Sequence, residues 1–203
     1  KGEDELRWVE SSSGGDEVML STEDGQAIRF KESDVRAMGR SAAGVTGMRL
    51  RKDDHIISMD VITKDMEGQG RNVLVVTQHG LGKQTPVKDY KIQKRGGSGI
   101  KTVKITEKTG KIVSMSIITP EDGETKDLLI ISQQGQTIKT PIKTISTLGR
   151  ATQGVKVMRL GDGGDLVVAF DAGGDGHHAR QARRLCACKH AHPIRRQIGK
   201  IKV

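Results

Sequence analysis

The sequence predicts an all-β protein built as a propeller-like series of four-stranded units. The first observation is an internal repeat, because 18–30, 73–85 and 128–140 align without a gap at a spacing of 55 residues. The second is that each segment is rich in β-branched and aliphatic residues around a turn glycine, as in a β-hairpin. The third is that no segment shows the sustained 3.6-residue apolar period of an amphipathic helix. A propeller repeats one such blade, whereas a single β-sandwich would not produce this register.

The elements of each unit can be assigned in order. The opening hairpin has a glycine where a tight turn needs a positive φ: Gly25, Gly80 and Gly135. A third strand is expected after a polar loop, at 45–50, 100–105 and 155–160. Its alternation places apolar residues on one face and a basic residue on the other: Arg49, Lys104 and Arg159. A fourth strand follows at 55–62, 111–118 and, in part, 165–170.

The repeats divide the chain into three regions. We assign 1–15 to an acidic lead-in, 16–170 to the repeats and 171–203 to a basic tail. The units are about 16–70, 71–125 and a partial 126–170. The chain begins without the apolar core of a signal peptide, and no apolar run approaches the ~20 residues of a membrane-spanning helix. We therefore expect a cytoplasmic protein without membrane contact.

Charge favours a nucleic-acid partner, although it is unevenly distributed. Of the formal net charge of +9, the tail contributes eight basic against two acidic residues. The second unit has ten basic and five acidic residues, whereas the first has eight and eleven. Aromatic residues number only four, which argues against a single-strand binder that stacks bases on aromatic side chains. The expected contact is with the phosphates of a duplex.

Glycines and cations are concentrated in QKRGGSGIKTVKI, residues 93–105. Backbone N–H groups in a glycine-rich loop, flanked by cations, can bind an anion. An arginine and a glycine of this loop recur at the same place in every unit: Arg40 and Gly44, Arg95 and Gly99, Arg150 and Gly154. A repeated arginine could contact phosphates, or it could cap or pair within each blade, and the sequence leaves both interpretations open.

The candidate DNA contacts are the residues of this loop and the basic residues at related places in the units. They are Arg40, Gln93, Lys94, Arg95, Gly96, Gly97, Gly99, Lys101, Lys104, Lys139, Arg150 and Arg159. Gly96 and Gly97 would let the backbone approach the DNA closely. No catalytic residue and no metal ligand is among the candidates.

The tail breaks the repeat after Phe170 and contains a cysteine–histidine cluster. Cys186, Cys188, His190 and His192 alternate along the chain. Structural zinc sites usually separate their ligand pairs by a dozen or more residues, so we do not assign a metal here. We expect little order after residue 171, in a tail that is either a disordered basic segment or not native to the protein.

The repeat resembles the blades of the C-terminal domain of the DNA gyrase A subunit. FKESDVRAMGRSAAGVTGMRL (30–50) and ISTLGRATQGVKVMRL (145–160) are similar to blade segments of that domain. QKRGGSG (93–99) resembles the family's glycine-basic box, although Ser98 stands where a cation is usual and the box usually lies on the first blade. The resemblance covers roughly 16–170.

The resemblance implies a β-pinwheel, in which four-stranded blades exchange strands with their neighbours. It implies a module that wraps double-stranded DNA nonspecifically, as part of a gyrase A subunit that works with the gyrase B subunit. The family domain has about six blades, and three are counted here. No cofactor is expected in this region, because ATP and magnesium would be used elsewhere in the holoenzyme. Tyr90 has no catalytic constellation around it and is expected to pack.

Two alternatives remain open at this stage. The equivalent domain of topoisomerase IV shares the fold and usually lacks the intact box. A propeller-like protein-interaction module without a DNA role is the alternative from another class. Binding that weakens steeply with salt and ignores sequence would favour DNA, whereas salt-resistant binding to one partner protein would favour the interaction module.

Overall fold

The computed structural model describes residues 6–39, 41–64, 70–161, 164–172 and 200–201. Within these ranges the chain forms thirteen strands and one short α-helix. The strands are β1 (Glu17–Thr22), β2 (Gln26–Lys31), β3 (Val45–Thr46), β4 (Ile56–Ile62), β5 (Asn72–Thr77), β6 (Leu81–Pro86), β7 (Ile100–Lys101), β8 (Ile112–Ile118), β9 (Asp127–Ser132), β10 (Thr137–Pro141), β11 (Val155–Lys156), β12 (Val167–Asp171) and β13 (Lys200–Ile201). The helix is α1 (Pro120–Thr125), and 3-10 turns follow the second strand of each unit: Glu32–Asp34, Val87–Asp89 and Ile142–Thr144.

The predicted hairpins are confirmed in all three units. β1 pairs with β2, β5 with β6, and β9 with β10, each antiparallel. The turn glycines adopt the positive φ that the sequence predicts, at +85° for Gly25, +73° for Gly80 and +87° for Gly135. The apolar segments therefore form the strands that their composition indicates.

Four-stranded sheets are present, but each is completed by the following unit. The first sheet has the order β4-β1-β2-β7, and the second has β8-β5-β6-β11. β7 belongs to the second unit and β11 to the third, so the strand at the outer edge of each sheet comes from the next repeat. In the third sheet, the described residues provide three strands, β12-β9-β10. This exchange is the β-pinwheel arrangement that the resemblance implies.

The predicted third strands are much shorter than expected. Instead of six residues at 45–50, 100–105 and 155–160, only two residues of each segment pair as a strand. The chain then crosses the hairpin turn of the preceding unit, where Val157 and Met158 both donate their N–H groups to the carbonyl of Gly80. Of the apolar residues predicted to face inward, Met48, Val103 and Met158 are buried, whereas Leu50, Ile105 and Leu160 are half-buried.

The fourth strands depart from the 55-residue register. β1 and β5 begin at residues 17 and 72, but β4 and β8 begin at 56 and 112, so the second unit contains one additional residue before β8. Gly110, with a φ of +63°, lies in the turn that accommodates it. The spacing of 55 residues is therefore kept from the hairpin through the loop segment and increases to 56 at the innermost strand.

The core lies between neighbouring sheets. One cluster joins Met19 of the first sheet to Val73 and Val75 of the second, and another joins Leu74 and Val76 to the third sheet. Successive side chains of β5 point to opposite faces of the sheet, and both faces are buried. The sequence of this strand is therefore continuously apolar. Tyr90 packs in the first of these clusters with 1% exposure, as predicted.

Two features outside the sheets complete the fold. α1 begins at a Thr119–Asp122 capping box, with Pro120 in its first turn, and was not predicted from the sequence. Two residues near the end of the chain, β13, pair with β3. Apart from these two residues, the predicted tail after Ala172, with its cysteine–histidine cluster, lies outside the described residues. Among the described residues, no helix is long and apolar enough to span a membrane.

Candidate nucleic-acid interface

The glycine-basic loop of the second unit lies against the first unit. The N–H of Gln93 donates to the carbonyl of Arg29 at 2.7 Å, and the N–H of Gly96 donates to the carbonyl of Gly47 at 2.8 Å. The carbonyl of Gly97 accepts the N–H of Arg49 at 2.9 Å. Two N–H groups of the proposed anion nest, those of Gln93 and Gly96, are therefore bonded inside the protein and are not directed at a phosphate.

The repeated glycine permits a close approach between units. A Cβ atom at Gly99, whose φ is +73°, would lie 2.6 Å from the carbonyl oxygen of Ala27. At Gly154, whose φ is +93°, it would lie 2.7 Å from the carbonyl oxygen of Gly82. Both glycines pack against the second strand of the preceding sheet, so their recurrence has a packing reason.

The repeated arginine also contacts the preceding unit. Arg95 donates through Nε to the carbonyl of Asp34 at 3.0 Å and through an Nη atom to that of Thr46 at 2.6 Å. Arg150 makes the equivalent contact, donating to the carbonyl of Lys101 at 3.1 Å. Two copies of this arginine therefore have a structural role, but they join neighbouring units instead of acting within one blade as the sequence suggested. Arg40 lies outside the described residues.

A polar side chain in the middle of the second strand joins each of the first two units to the 3-10 turn of the unit that follows. Arg29 is bonded to Glu17 and donates to the carbonyls of Val87 and Tyr90, both at 3.2 Å. Gln84 is the equivalent residue of the second unit, and it donates to the carbonyls at either end of the next turn, Ile142 and Ile145.

Lys139 occupies this place in the third unit. Its Nζ pairs with Asp127 at 3.0 Å, and its side chain is 71% exposed. The predicted DNA contact at Lys139 is thus a surface ion pair at the position that joins units in the first two repeats.

Exposed lysines without an ion-pair partner among the described residues are concentrated in the second unit. The second unit has six, whereas the first and third have three and two: Lys88, Lys91, Lys94, Lys101, Lys104 and Lys108, against Lys31, Lys52 and Lys64, and Lys143 and Lys156. Arg159, the third-unit equivalent of Lys104, is also exposed. By contrast, Lys111 of the second unit is bonded to Glu23 at 2.5 Å. The candidate lysines of the second unit, Lys94, Lys101 and Lys104, are therefore available to an external anion.

Lys83 is a basic residue that the sequence did not single out. It lies on β6 with 1% exposure, and its Nζ donates to the carbonyls of Gly149 and Arg150 and to Oγ1 of Thr152. Burial, with a contribution from the nearby Arg150 cation, lowers the pKa of Lys83 to about 8. The repeat contained a signal for a buried position here, because the residues equivalent to Lys83 in the other two units, at 28 and 138, are both isoleucine.

Asp60 is a buried acidic group between the first and second sheets. It lies on β4 with 9% exposure, and its Oδ2 atom has no hydrogen-bond partner among the described residues. Burial raises the pKa of Asp60 to about 7, against the opposing effect of a hydrogen bond from the N–H of Ile117. These surroundings are unfavourable for a charged carboxylate, so Asp60 affects the stability of the fold rather than binding.

One carboxylate cluster has the compactness of a cation site, but protein groups already account for it. Carboxylate oxygens of Glu23, Asp24 and Asp54 lie within 4.8 Å of one another. Glu23 accepts from Lys111 at 2.5 Å and is 3.1 Å from Nδ1 of His55, while Oδ1 of Asp54 accepts two backbone N–H groups. We assign no metal to it.

Comparisons with known proteins place this geometry in context. The family described as "DNA gyrase C-terminal domain, beta-propeller" matches residues 16–63, 71–119 and 126–172. The DNA gyrase A subunit of Staphylococcus epidermidis is 43% identical over 163 residues, which cover 80% of this chain and 18% of that protein. The Staphylococcus aureus subunit is 42% identical over 160 residues, which cover 79% and 17%.

Solved structures give the same fold. A DNA gyrase A C-terminal domain superposes with a TM-score of 0.65 at 24% identity, covering 77% of this chain and 50% of that one. A C-terminal domain of DNA topoisomerase IV gives 0.68 at 21% identity, covering 88% and 53%. The chain therefore spans under a fifth of the gyrase subunits that it matches and about half of the solved domains.

Proposed function

This chain belongs to the DNA gyrase C-terminal domain family, and from that premise we propose that it binds duplex DNA without sequence preference and bends it around the propeller. The observation that carries the proposal is the set of exposed, unpaired lysines on the second unit, which contrasts with the acidic first unit. Lysines at the rim of a propeller neutralise phosphates and need no base contacts.

The side chains have different roles in this proposal. Lys94, Lys101 and Lys104 would contact phosphates, together with Arg159 on the third unit. The glycines and the backbone of 93–99 support the binding surface by fixing the loop against the first unit. Arg95 and Arg150 would contribute through the guanidinium N–H groups that their inter-unit bonds leave over.

The wider assembly is part of the same proposal. The protein partners would be the remainder of the gyrase A subunit, together with a gyrase B subunit, in a bacterial cytoplasm and on the chromosome. ATP and magnesium would act in those parts, and this domain would present bent DNA to them. The match to gyrase A subunits with 43% identity supports gyrase over topoisomerase IV, for which the likeness is one of fold alone.

The test is duplex affinity across a salt series, measured by fluorescence anisotropy with two unrelated duplex sequences. Each phosphate contact that is lost should lower the salt slope of log affinity by ~0.9. Lys94→Ala should lower the slope by this amount for both sequences. Lys52→Ala is the matched control, because Lys52 is an exposed lysine of the acidic first unit and should change the slope less.

Two results would contradict the proposal. Affinity that does not change between about 50 and 200 mM salt would exclude phosphate neutralisation as the source of binding. Salt-resistant binding to a gyrase subunit, with no duplex binding, would instead identify a protein-interaction module.

A further inference from the structure

Lys83 places a buried cation beneath the basic loop of the third unit. Its Nζ lies 2.8 Å from the carbonyl oxygen of Gly149, 2.5 Å from that of Arg150 and 3.1 Å from Oγ1 of Thr152. An ammonium group has three N–H donors, and here each has an acceptor in one loop. The loop therefore closes around the end of this side chain.

The same strand holds the start of the loop. Thr85 donates through Oγ1 to the carbonyl of Leu148 at 2.9 Å, and the N–H of Leu148 donates to the carbonyl of Gln84 at 2.8 Å. Thr152 also bonds back to Gly149 at 2.8 Å. β6 thus fixes the loop at its first residue, while Lys83 fixes the turn that carries Arg150.

The corresponding loop of the second unit is held differently. Ile28 takes the place of Lys83, and its Cδ1 atom lies 3.4 Å from where a Cβ atom of Gly97 would be. That loop also has an exposed lysine, Lys94, whereas Gly149 stands at the equivalent place in the third unit. The third-unit loop therefore lacks the outer cation and has a buried one instead.

The charges of Lys83 and of Arg150 in the third-unit loop lack a counter-ion in the part of the chain that the structure describes. Among the described residues, no carboxylate forms an ion pair with Lys83 or Arg150. The contact with Lys101 uses one of the five N–H groups of the Arg150 guanidinium. A buried charge without a counter-ion is costly, and a phosphate on this loop would offset that cost.

We propose that protonated Lys83 is a positioning residue for duplex binding, which shapes the Gly149–Thr152 loop so that Arg150 presents its remaining N–H groups to a DNA phosphate. This inference rests on the proposed function. It assigns the ligand of the third-unit loop as a phosphodiester and makes its binding depend on a proton at a residue that does not touch the DNA.

The proton dependence has a definite sign. Arg150 is the charged group that acts on Lys83, and the nearby Tyr90 phenol is buried, hydrogen-bonded to Thr102 and has a raised pKa. A neutral Lys83 amine has two donors for three acceptors, so the loop loses a bond as pH rises through about 8. Affinity should therefore be greatest below pH 8 and fall above it.

The experiment measures the salt slope of duplex affinity for the full chain, Lys83→Met, Arg150→Ala and the double variant, at pH 7 and pH 9. At pH 7 each single change should lower the slope by ~0.9, which is about threefold in affinity between 50 and 200 mM salt. The double variant should lose no more than either single one, because both remove the same contact. At pH 9 the slope of the full chain should approach that of Lys83→Met.

Lys156→Met is the matched control, because Lys156 is an exposed lysine of the same unit. Its effect should add to that of Arg150→Ala. Additive effects of Lys83→Met and Arg150→Ala, or a Lys83→Met slope equal to that of the full chain, would overturn the inference while leaving the proposed function in place. If Lys83→Met does not fold, an unchanged slope of the full chain between pH 7 and pH 9 would overturn it alone. Absence of duplex binding by the full chain would instead reject the proposed function, and the inference with it.

Discussion

Replacing Gly80 by alanine should separate the cost of turn geometry from the cost of contact between units. Gly80 has a φ of +73°, and an added Cβ would lie 2.4 Å from the carbonyl oxygen of Met158 in the third unit. Gly135 is the matched control, because it occupies the same turn position, has a φ of +87°, and has no atom within 4 Å of the added Cβ.

The magnitude can be worked from these contacts. Both substitutions place a side chain at positive φ, which costs ~1–2 kcal/mol. Only Gly80→Ala also forces the third unit away, by roughly 0.6 Å if Cβ and oxygen are to reach about 3.0 Å. That shift strains the bonds that the Gly80 carbonyl accepts from Val157 at 2.9 Å and Met158 at 3.0 Å. Two weakened hydrogen bonds add ~2 kcal/mol, so Gly80→Ala should cost ~3–4 kcal/mol in total.

Urea unfolding followed by circular dichroism measures both variants. The free energy of unfolding should fall by ~2 kcal/mol more for Gly80→Ala than for Gly135→Ala. Because coupling between repeats depends on their interfaces, Gly80→Ala should also broaden the transition or divide it into two steps. Equal losses in the two variants would refute the view that the repeated turn glycine serves contact between units.

Two further substitutions test the roles of single side chains. Arg95→Ala removes two hydrogen bonds from an exposed guanidinium to the first unit, so it should lower the free energy of unfolding by ~1 kcal/mol in urea titrations at pH 7, and no loss would contradict an inter-unit role. Asp60→Asn should remove a pH dependence of the free energy of unfolding. The pKa of Asp60 is raised to about 7 from a normal value near 4, so Asp60 stabilises the fold most below pH 4, and this contribution is lost as pH rises through 7. At pH 8 the variant should therefore be more stable than the natural chain, by up to ~4 kcal/mol, and thermal unfolding at pH 4 and pH 8 would show whether the difference disappears in acid.

The hairpins and the core strands could be predicted because their causes are local. A β-branched run next to a glycine turn forms a hairpin wherever it occurs, and the unbroken apolar run of β5 follows from burial of both faces. The 55-residue register showed that the units are alike. It could not show which unit supplies the outer strand of a sheet. The sequence of β7 is the same whether this strand pairs with the hairpin of its own unit or, as observed, with that of the preceding unit.

The candidate site could be predicted only in part, for a related reason. A lysine beside polar residues in a strand, as Lys83 is beside Gln84 and Thr85, is normally expected to face solvent, but Lys83 is covered by a loop 66 residues later in the chain. Two of its three acceptors are backbone carbonyls, which have no sequence signature. Arg95 posed the same difficulty, since its partners are the carbonyls of Asp34 and Thr46.

The recurring arginine and glycine of the loop contact the neighbouring unit, whereas Lys94, for which we propose a phosphate contact, is replaced by Gly149 at the equivalent place in the third unit. Gly149→Lys uses this distinction, because it gives the third unit the cation that Lys94 provides in the second. Gly149 is exposed, its φ is not positive, and an added Cβ has no atom within 4 Å. The fold should therefore keep its stability while the salt slope of duplex affinity rises by ~0.9. Unchanged stability with an unchanged slope would show that the third-unit loop does not face the DNA.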